Sequence, residues 1–213
     1  ASVRDWIESH NKSPRSNPDS IAIVSVSPND NSLICECPNC QAINKEEEAQ
    51  SGTLIRFVNA VAEDVEKDYP NARIETLGYG PSLIPPARTV PRENVIIRFA
   101  PISADFARPF ATQPLVCETI ERWSQITDCL YVWNYHYGNH AYFRPFPDLN
   151  ALEQNVRFLI DHGVRGYFGE HYWSRGAALR VERNYLLAKL LWRPETDARL
   201  ALLEFCRLYY GAA

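Results

Sequence analysis

The chain reads as an α/β protein made of parallel β/α units, part of a (β/α)8 TIM-type barrel. Three observations predict this. Five short apolar runs bounded by turn residues have the length and composition of strands. Between them lie longer stretches whose apolar residues recur at i, i+3 and i+4, the period of a helix that packs one face. No strand is followed by a Gly-rich phosphate cradle or a dinucleotide fingerprint, the usual occupants of an open doubly wound sheet. Five strands in 213 residues fall short of a closed eight-stranded barrel, which takes about 250. Either the remaining strands lie outside this sequence or the sheet is open. The partial barrel is the preferred reading, with residues 1–213 as a single domain.

The first strand falls in 21–26, Ile-Ala-Ile-Val-Ser-Val, and stops at the turn residues 27–31. Leu54, Phe57, Val58, Val61, Ala62 and Val65 place a helix over 51–69, and Pro70 ends it. A second strand follows at 72–80 with Ile74 and Leu77. Pro81, Pro85, Pro86 and Pro91 make an irregular connection to the third, at 94–100. Ile120, Trp123 and Ile126 put a helix over 115–127, before a fourth strand at 130–135. Leu152, Val156, Leu159 and Ile160 mark another helix, His162-Gly163 stops it, and the fifth strand occupies 164–169. Helices at 177–192 and 196–210 complete the pattern. Right-handed β/α units of this kind predict a sheet buried on both faces.

Composition narrows the partners. With 46% hydrophobic and 12% aromatic residues there is ample material for a core. A net charge of -4, an isoelectric point near 5.8 and scattered Lys and Arg residues offer no field for a polyanion, so nucleic acid is not expected as a partner. No apolar run approaches the ~20 residues that cross a bilayer, so no membrane partner is expected either. The sequence opens on Ala1 and contains no Met, which reads as a processed protein or part of a longer one.

The chemistry-bearing residues gather at strand ends. Trp133, Asn134, Tyr135 and His136 close the fourth strand, and Glu170, His171, Tyr172 and Trp173 follow the fifth. Flat rings beside a carboxylic acid suit a carbohydrate better than a phosphate, and barrel chemistry sits at the C-terminal ends of strands. The competing account is an aromatic plug of the core. Glu170 is the candidate acid, because a partly desolvated carboxyl keeps its proton toward neutral pH and can protonate a leaving glycosidic oxygen. An ion pair with an arginine such as Arg175 is the structural alternative. Asp30, flanked by Asn29 and Asn31, is either a second carboxylate or an ordinary turn residue. Tyr79, between Gly78 and Gly80, offers a stacking ring where glycines admit a ligand, or simply a turn.

His136, His140 and His171 match no metal-binding spacing, and no metal or other cofactor is expected. The sharpest short motif is Cys35-Glu-Cys37-Pro-Asn-Cys40. Its thiols bind zinc if a fourth ligand is found, which the spacing does not supply. Otherwise they form disulfides, locally or with Cys117, Cys129 or Cys206. A structural use is favoured over catalysis, since no partnered base accompanies any of them.

Several segments in order carry a resemblance: Val26-Ser-Pro-Asn-Asp30, the cysteine motif, Leu77-Gly-Tyr79, Leu130-Tyr-Val-Trp-Asn-Tyr135, Phe143-Arg-Pro-Phe-Pro147, Gly163-Val-Arg-Gly166 and the apolar run 185–192. Together they resemble a bacterial family filed as domain of unknown function 4838, part of which is classed as glycoside hydrolase family 163. The resemblance covers nearly the whole chain. It implies the C-terminal part of a (β/α)8 barrel in a larger protein, secreted or periplasmic, completed by the remainder of the parent barrel or by a second chain.

It further implies an endo-β-N-acetylglucosaminidase-like activity on N-glycans by retaining hydrolysis. Either an enzyme carboxylate or the sugar's 2-acetamido oxygen would attack the anomeric carbon. Glu170 and Asp30 are then nearest the chemistry, with Asn29, Tyr79, Trp133, Asn134, Tyr135, His136, His171 and Trp173 against the carbohydrate. One departure stands out: Asn134 occupies a position where relatives are expected to carry Asp. An amide cannot act as base or anionic nucleophile, although it can hydrogen-bond an acetamido group. A non-catalytic carbohydrate-binding or structural domain of an exported protein is accordingly the alternative.

Overall fold

A computed structural model describes residues 2–14, 20–138, 144–171 and 177–211. Its elements in chain order are α1 (Val3–Asn11), β1 (Ile23–Ser25), α2 (Pro38–Glu46), α3 (Ser51–Glu66), β2 (Arg73–Gly78), β3 (Val95–Phe99), α4 (Pro114–Ser124), β4 (Leu130–Tyr135), α5 (Leu152–Asp161), β5 (Val164–Glu170), α6 (Arg180–Trp192) and α7 (Ala198–Tyr210), with short 3-10 turns at Gly80–Ser82 and Phe110–Thr112. The five strands form one sheet in the order β1-β2-β3-β4-β5. Pairing is parallel from β1 through β4. The order runs sequentially without the reversal that marks a doubly wound sheet. The chain is therefore α/β with a parallel sheet and accompanying helices, and it divides into two compact units.

The first unit comprises Ala1–Pro101, Thr119–Trp133 and Gly163–Tyr167. Register aligns Leu77 with Arg98 and Arg98 with Tyr131, and likewise Gly78 with Phe99 and Phe99 with Val132. Side chains alternate along a strand. One face of the sheet thus carries Ile74, Thr76, Ile97, Phe99, Leu130 and Val132, all buried. It packs toward the helices: a Cβ added to Gly78 would sit 3.5 Å from the Trp123 indole nitrogen, which donates to the carbonyl of Leu83 at 2.9 Å.

The opposite face carries Glu75 and Ile96, both buried, with half-buried Leu77, Arg98, Tyr131 and Trp133 and, at the edge strand, Ile23, which is 45% exposed. The expected burial on both faces is met at Glu75 and Ile96 and not at Ile23. Sequential order with right-handed crossovers places the crossover helices on one face of the sheet.

Two helices were not foreseen. α1 begins with a capping box, Ser2 and Asp5 exchanging side-chain and backbone bonds at 3.2 and 2.7 Å. Only Ile7 of this helix is buried, although Val3, Trp6 and Ile7 share one face. α2 starts inside the cysteine motif, with Cys37 as N-cap and Pro38 at the first helical position.

The buried stripe of α3 keeps the expected Val58, Ala62 and Val65 and departs from the expected one toward the helix start. Ser51, Gly52, Ile55, Val58, Ala62 and Val65 face inward, while Phe57 is 58% exposed. The departure is set at the helix start, where the Ser51 hydroxyl donates to the carbonyl of Ile84 at 2.5 Å and bare Gly52 lies against the Glu47 side chain.

The second unit comprises Ile102–Glu118, Asn134–His162 and Phe168–Ala213. Leu152, Val156 and Leu159 of α5 and Leu186 and Leu190 of α6 are buried apolar residues, while Ile160, expected on the inner stripe, is 44% exposed. The buried Asn155 amide oxygen accepts the backbone N–H of Phe110 at 2.7 Å. Asp197 caps α7, and the N–H of Ala198 is held by Glu153 at 3.0 Å. Gly163 follows α5 at φ 75°, the left-handed position a helix stop requires.

Candidate functional site

The expected site residues divide between the units. Asn29, Asp30, Tyr79 and Trp133 belong to the first; Asn134, Tyr135, His136, Glu170 and His171 belong to the second. Trp173, together with His140, Tyr172 and Arg175, lies outside the described residues.

In the first unit, Asn29 and Tyr79 come together: both line a cleft of about 190 Å³ that also includes Asn31, Cys35, Asn44 and Thr53. Asp30 is exposed in the turn after β1. The backbone N–H of Tyr79 donates to the Ser82 hydroxyl at 3.3 Å, and that hydroxyl donates to the carbonyl of Leu77 at 2.9 Å. Gly80 has φ 53° and makes the turn. Gly78 lies on the helix-covered face, where an added Cβ would meet Trp123 at an ordinary contact distance of 3.5 Å. Trp133 lies under the Arg98 guanidinium, 5.9 Å from the ring centroid. Arg98 also pairs with Glu75, whose carboxyl is raised by burial against the opposing pull of that arginine.

In the second unit, strand alternation splits the Trp-Asn-Tyr-His run. Asn134 and His136 are each 2% exposed, while Tyr135 is half-buried. The Tyr135 ring instead joins an aromatic group, 6.1 Å from Phe106 and 6.5 Å from Tyr137. Glu170 is the last residue of β5 rather than the first beyond it. Its carboxylate accepts the Tyr137 hydroxyl at 2.6 Å, and its carbonyl accepts the backbone N–H of His136 at 2.9 Å. A short O–H to carboxylate bond of this kind is among the stronger neutral-donor contacts in proteins.

Behind this strand end runs a buried charged chain. Asp148 accepts Nδ1 of His136 at 2.7 Å on one oxygen and Nε of Arg183 at 2.6 Å on the other. Arg183 also donates to the carbonyl of Phe146 at 3.1 Å. His136, Asp148 and Arg183 are all at most 3% exposed. A carboxylate on Nδ1 requires that nitrogen to carry hydrogen, which orients the ring. His171 stacks on His136 at 4.8 Å between centroids. Burial, then the neighbouring His136 and Arg183, push the His171 imidazole down to about 4, so it is neutral at physiological pH. Its Nδ1 is buried and has no hydrogen-bond partner among the described residues. A Cβ on Gly169 would come within 3.2 Å of His136, so that glycine admits the ring.

Chemically, the chain Arg183–Asp148–His136 anchors the end of β4, and the end of β4 grips Glu170 at its carbonyl and its carboxylate. Asp148 has both oxygens occupied and acts as a positioning residue. Tyr137, Asp148 and Arg183 were not foreseen. Phe146-Pro-Asp148 reads as a helix approach and Arg183 as one more polar residue of an amphipathic helix. Nothing in their spacing points to His136.

A five-stranded parallel sheet flanked by helices, with Glu170 ending the last strand, defines the chain as an α/β protein. More particularly, residues 5–213 match the family model described as domain of unknown function DUF4838, and the chain belongs to that family. No curated protein and no solved structure matches it.

Proposed function

We propose that the chain is a glycoside hydrolase-like domain acting on N-acetylglucosamine-containing glycans by retaining acid/base hydrolysis, with Glu170 as the acid/base. The observation that carries this is the placement of Glu170. It sits at the C-terminal end of a parallel strand, its carboxylate held by Tyr137 and its backbone held by His136. That is the position from which barrel enzymes present catalytic groups. Glu170 would protonate the leaving oxygen and then deprotonate the incoming water. The anomeric carbon is attacked either by an enzyme carboxylate, for which Asp30 is the candidate, or by the substrate's acetamido oxygen. Asn134 and His136, being buried, support the site from behind, and the rings of Tyr135 and Tyr137 are nearer the ligand.

The same reading places the five strands in an eight-stranded barrel, about three strands of which come from the parent protein or a second chain. It also relates the chain to glycoside hydrolase family 163 and assigns it to an exported protein. Turnover of a fluorescent N-glycan by the full-length parent tests it. Glu170→Gln is expected to abolish release of product while glycan binding persists. Equal turnover in that variant overturns the assignment, and Asp30→Asn separates the two routes of attack.

A further inference from the structure

We propose that Cys35, Cys37 and Cys40 form a three-thiolate site for a divalent cation of the zinc class, with the fourth coordination position filled from solvent. The site stands apart from the glycosidase reading and rests on the geometry of three side chains. Cys37 is the N-cap of α2, with φ -63° and ψ 153°. An N-cap side chain turns toward the third helical residue, here Cys40, whose N–H donates to the Cys37 sulfur at 3.5 Å. Pro38 at the first helical position pre-sets the turn. The Cys-x-Cys step brings in Cys35, and all three sulfurs lie within 4.8 Å of one another. Tetrahedral zinc with bonds of about 2.3 Å spaces its sulfurs about 3.8 Å apart. Side-chain rotation of thiols that are exposed or half-buried closes the difference.

Three thiolates crowded inside that radius repel one another and a bound cation offsets the repulsion, while the amide groups at the start of the nine-residue α2 stabilise the net negative complex. A dithiol redox pair needs only two of these sulfurs, and the third, inside the same radius, is what favours metal. Binding exchanges three thiol protons for one cation, with no change in oxidation state. The ion would pin the segment between β1 and α2, where Asn29, Asn31 and Cys35 line one cleft with Tyr79.

The test is an anaerobic titration of the full, reduced chain with cobalt(II). One equivalent is expected to bind, with sulfur-to-cobalt charge-transfer absorption, intense tetrahedral ligand-field bands, and displacement of both by zinc. Proton release should accompany binding. Zinc should protect Cys35, Cys37 and Cys40 from alkylation while Cys206 still reacts, a readout that needs no variant. Cys37→Ser should abolish the charge-transfer band and Cys206→Ser should leave it intact. Absence of the band with all three thiols reactive would overturn the proposal. So would a disulfide among the three that persists in place of metal, or equal binding by Cys37→Ser.

Discussion

Replacing Glu47 with glutamine probes the most heavily satisfied acid among the described residues. Glu47 caps the end of α2 and is 0% exposed. One carboxylate oxygen accepts Nε and Nη2 of Arg56 at 3.1 and 2.5 Å and the hydroxyl of Thr89. The other accepts the backbone N–H groups of Arg88 and Thr89, each at 2.9 Å. Burial alone would raise this carboxyl. The bonds from Thr89, Arg56 and Arg88 overcome burial and hold it at about 2, against the ordinary 4.5. At about 1.4 kcal/mol per pH unit, the ionised group is worth about 3 kcal/mol to the folded state at neutral pH.

The sign follows from the depressed value. The contribution is complete above pH 4.5 and is lost as pH falls toward 2. Glutamine keeps the shape but turns an NH₂ toward groups of which only the Thr89 hydroxyl can accept. Urea unfolding should therefore show Glu47→Gln less stable by about 3 kcal/mol at neutral pH, with the deficit shrinking steadily as pH drops below 4.5. A deficit that stays constant from neutral pH down to about 2 would refute the reasoning, because it would mean the charge contributes nothing.

Other expectations follow from the same structure. Asp148→Ala leaves Arg183 buried without its carboxylate and should cost about 3 to 5 kcal/mol in chemical denaturation; a loss below 1 kcal/mol would show the chain is not holding the unit together. Tyr137→Phe removes the donor on Glu170 and should lower kcat about tenfold with KM little changed, provided Glu170 is the acid. Gly166→Ala would put a Cβ 2.3 Å from the Tyr131 ring and should cost about 1 to 3 kcal/mol, largely recovered in the double variant with Tyr131→Ala; strictly additive losses would contradict the clash.

How much was legible depends on what each feature requires. β4 matches its expected span of 130–135, and β2, β3 and β5 fall within a residue or two of theirs, because apolar runs bounded by Pro, Gly and Asn record local preference. α1 escaped notice because its apolar stripe, Val3, Trp6 and Ile7, is short and set among charged residues, and α2 because none of its residues is buried. The start of α2 was visible only as a cysteine motif. On α3, Val58, Ala62 and Val65 turn inward as expected, but the inward residues of its first turns were missed for a different reason. Apolar residues surround that helix on more than one side, and contacts of Ser51 and Gly52, not composition, choose between them.

The candidate site shows the same boundary. Strand ends rich in Tyr, His and Glu were readable from one dimension, since chemistry-bearing residues and the strands that present them are neighbours in the chain. Which of Trp133, Asn134, Tyr135 and His136 points which way was not, because alternation only gains a direction once helices cover one side of the sheet. The link from Arg183 through Asp148 to His136 spans 47 positions of the sequence. Hydrogen bonds of that kind act over about 3 Å and leave no periodic trace, so folding alone brings such partners together. The amino-acid order by itself determined a parallel α/β chain of the DUF4838 family and the strand ends where Tyr, His and Glu gather; tertiary structure decided which of those side chains are buried, as Asn134 and His136 are, and which hydrogen bonds, such as Tyr137 to Glu170, they make.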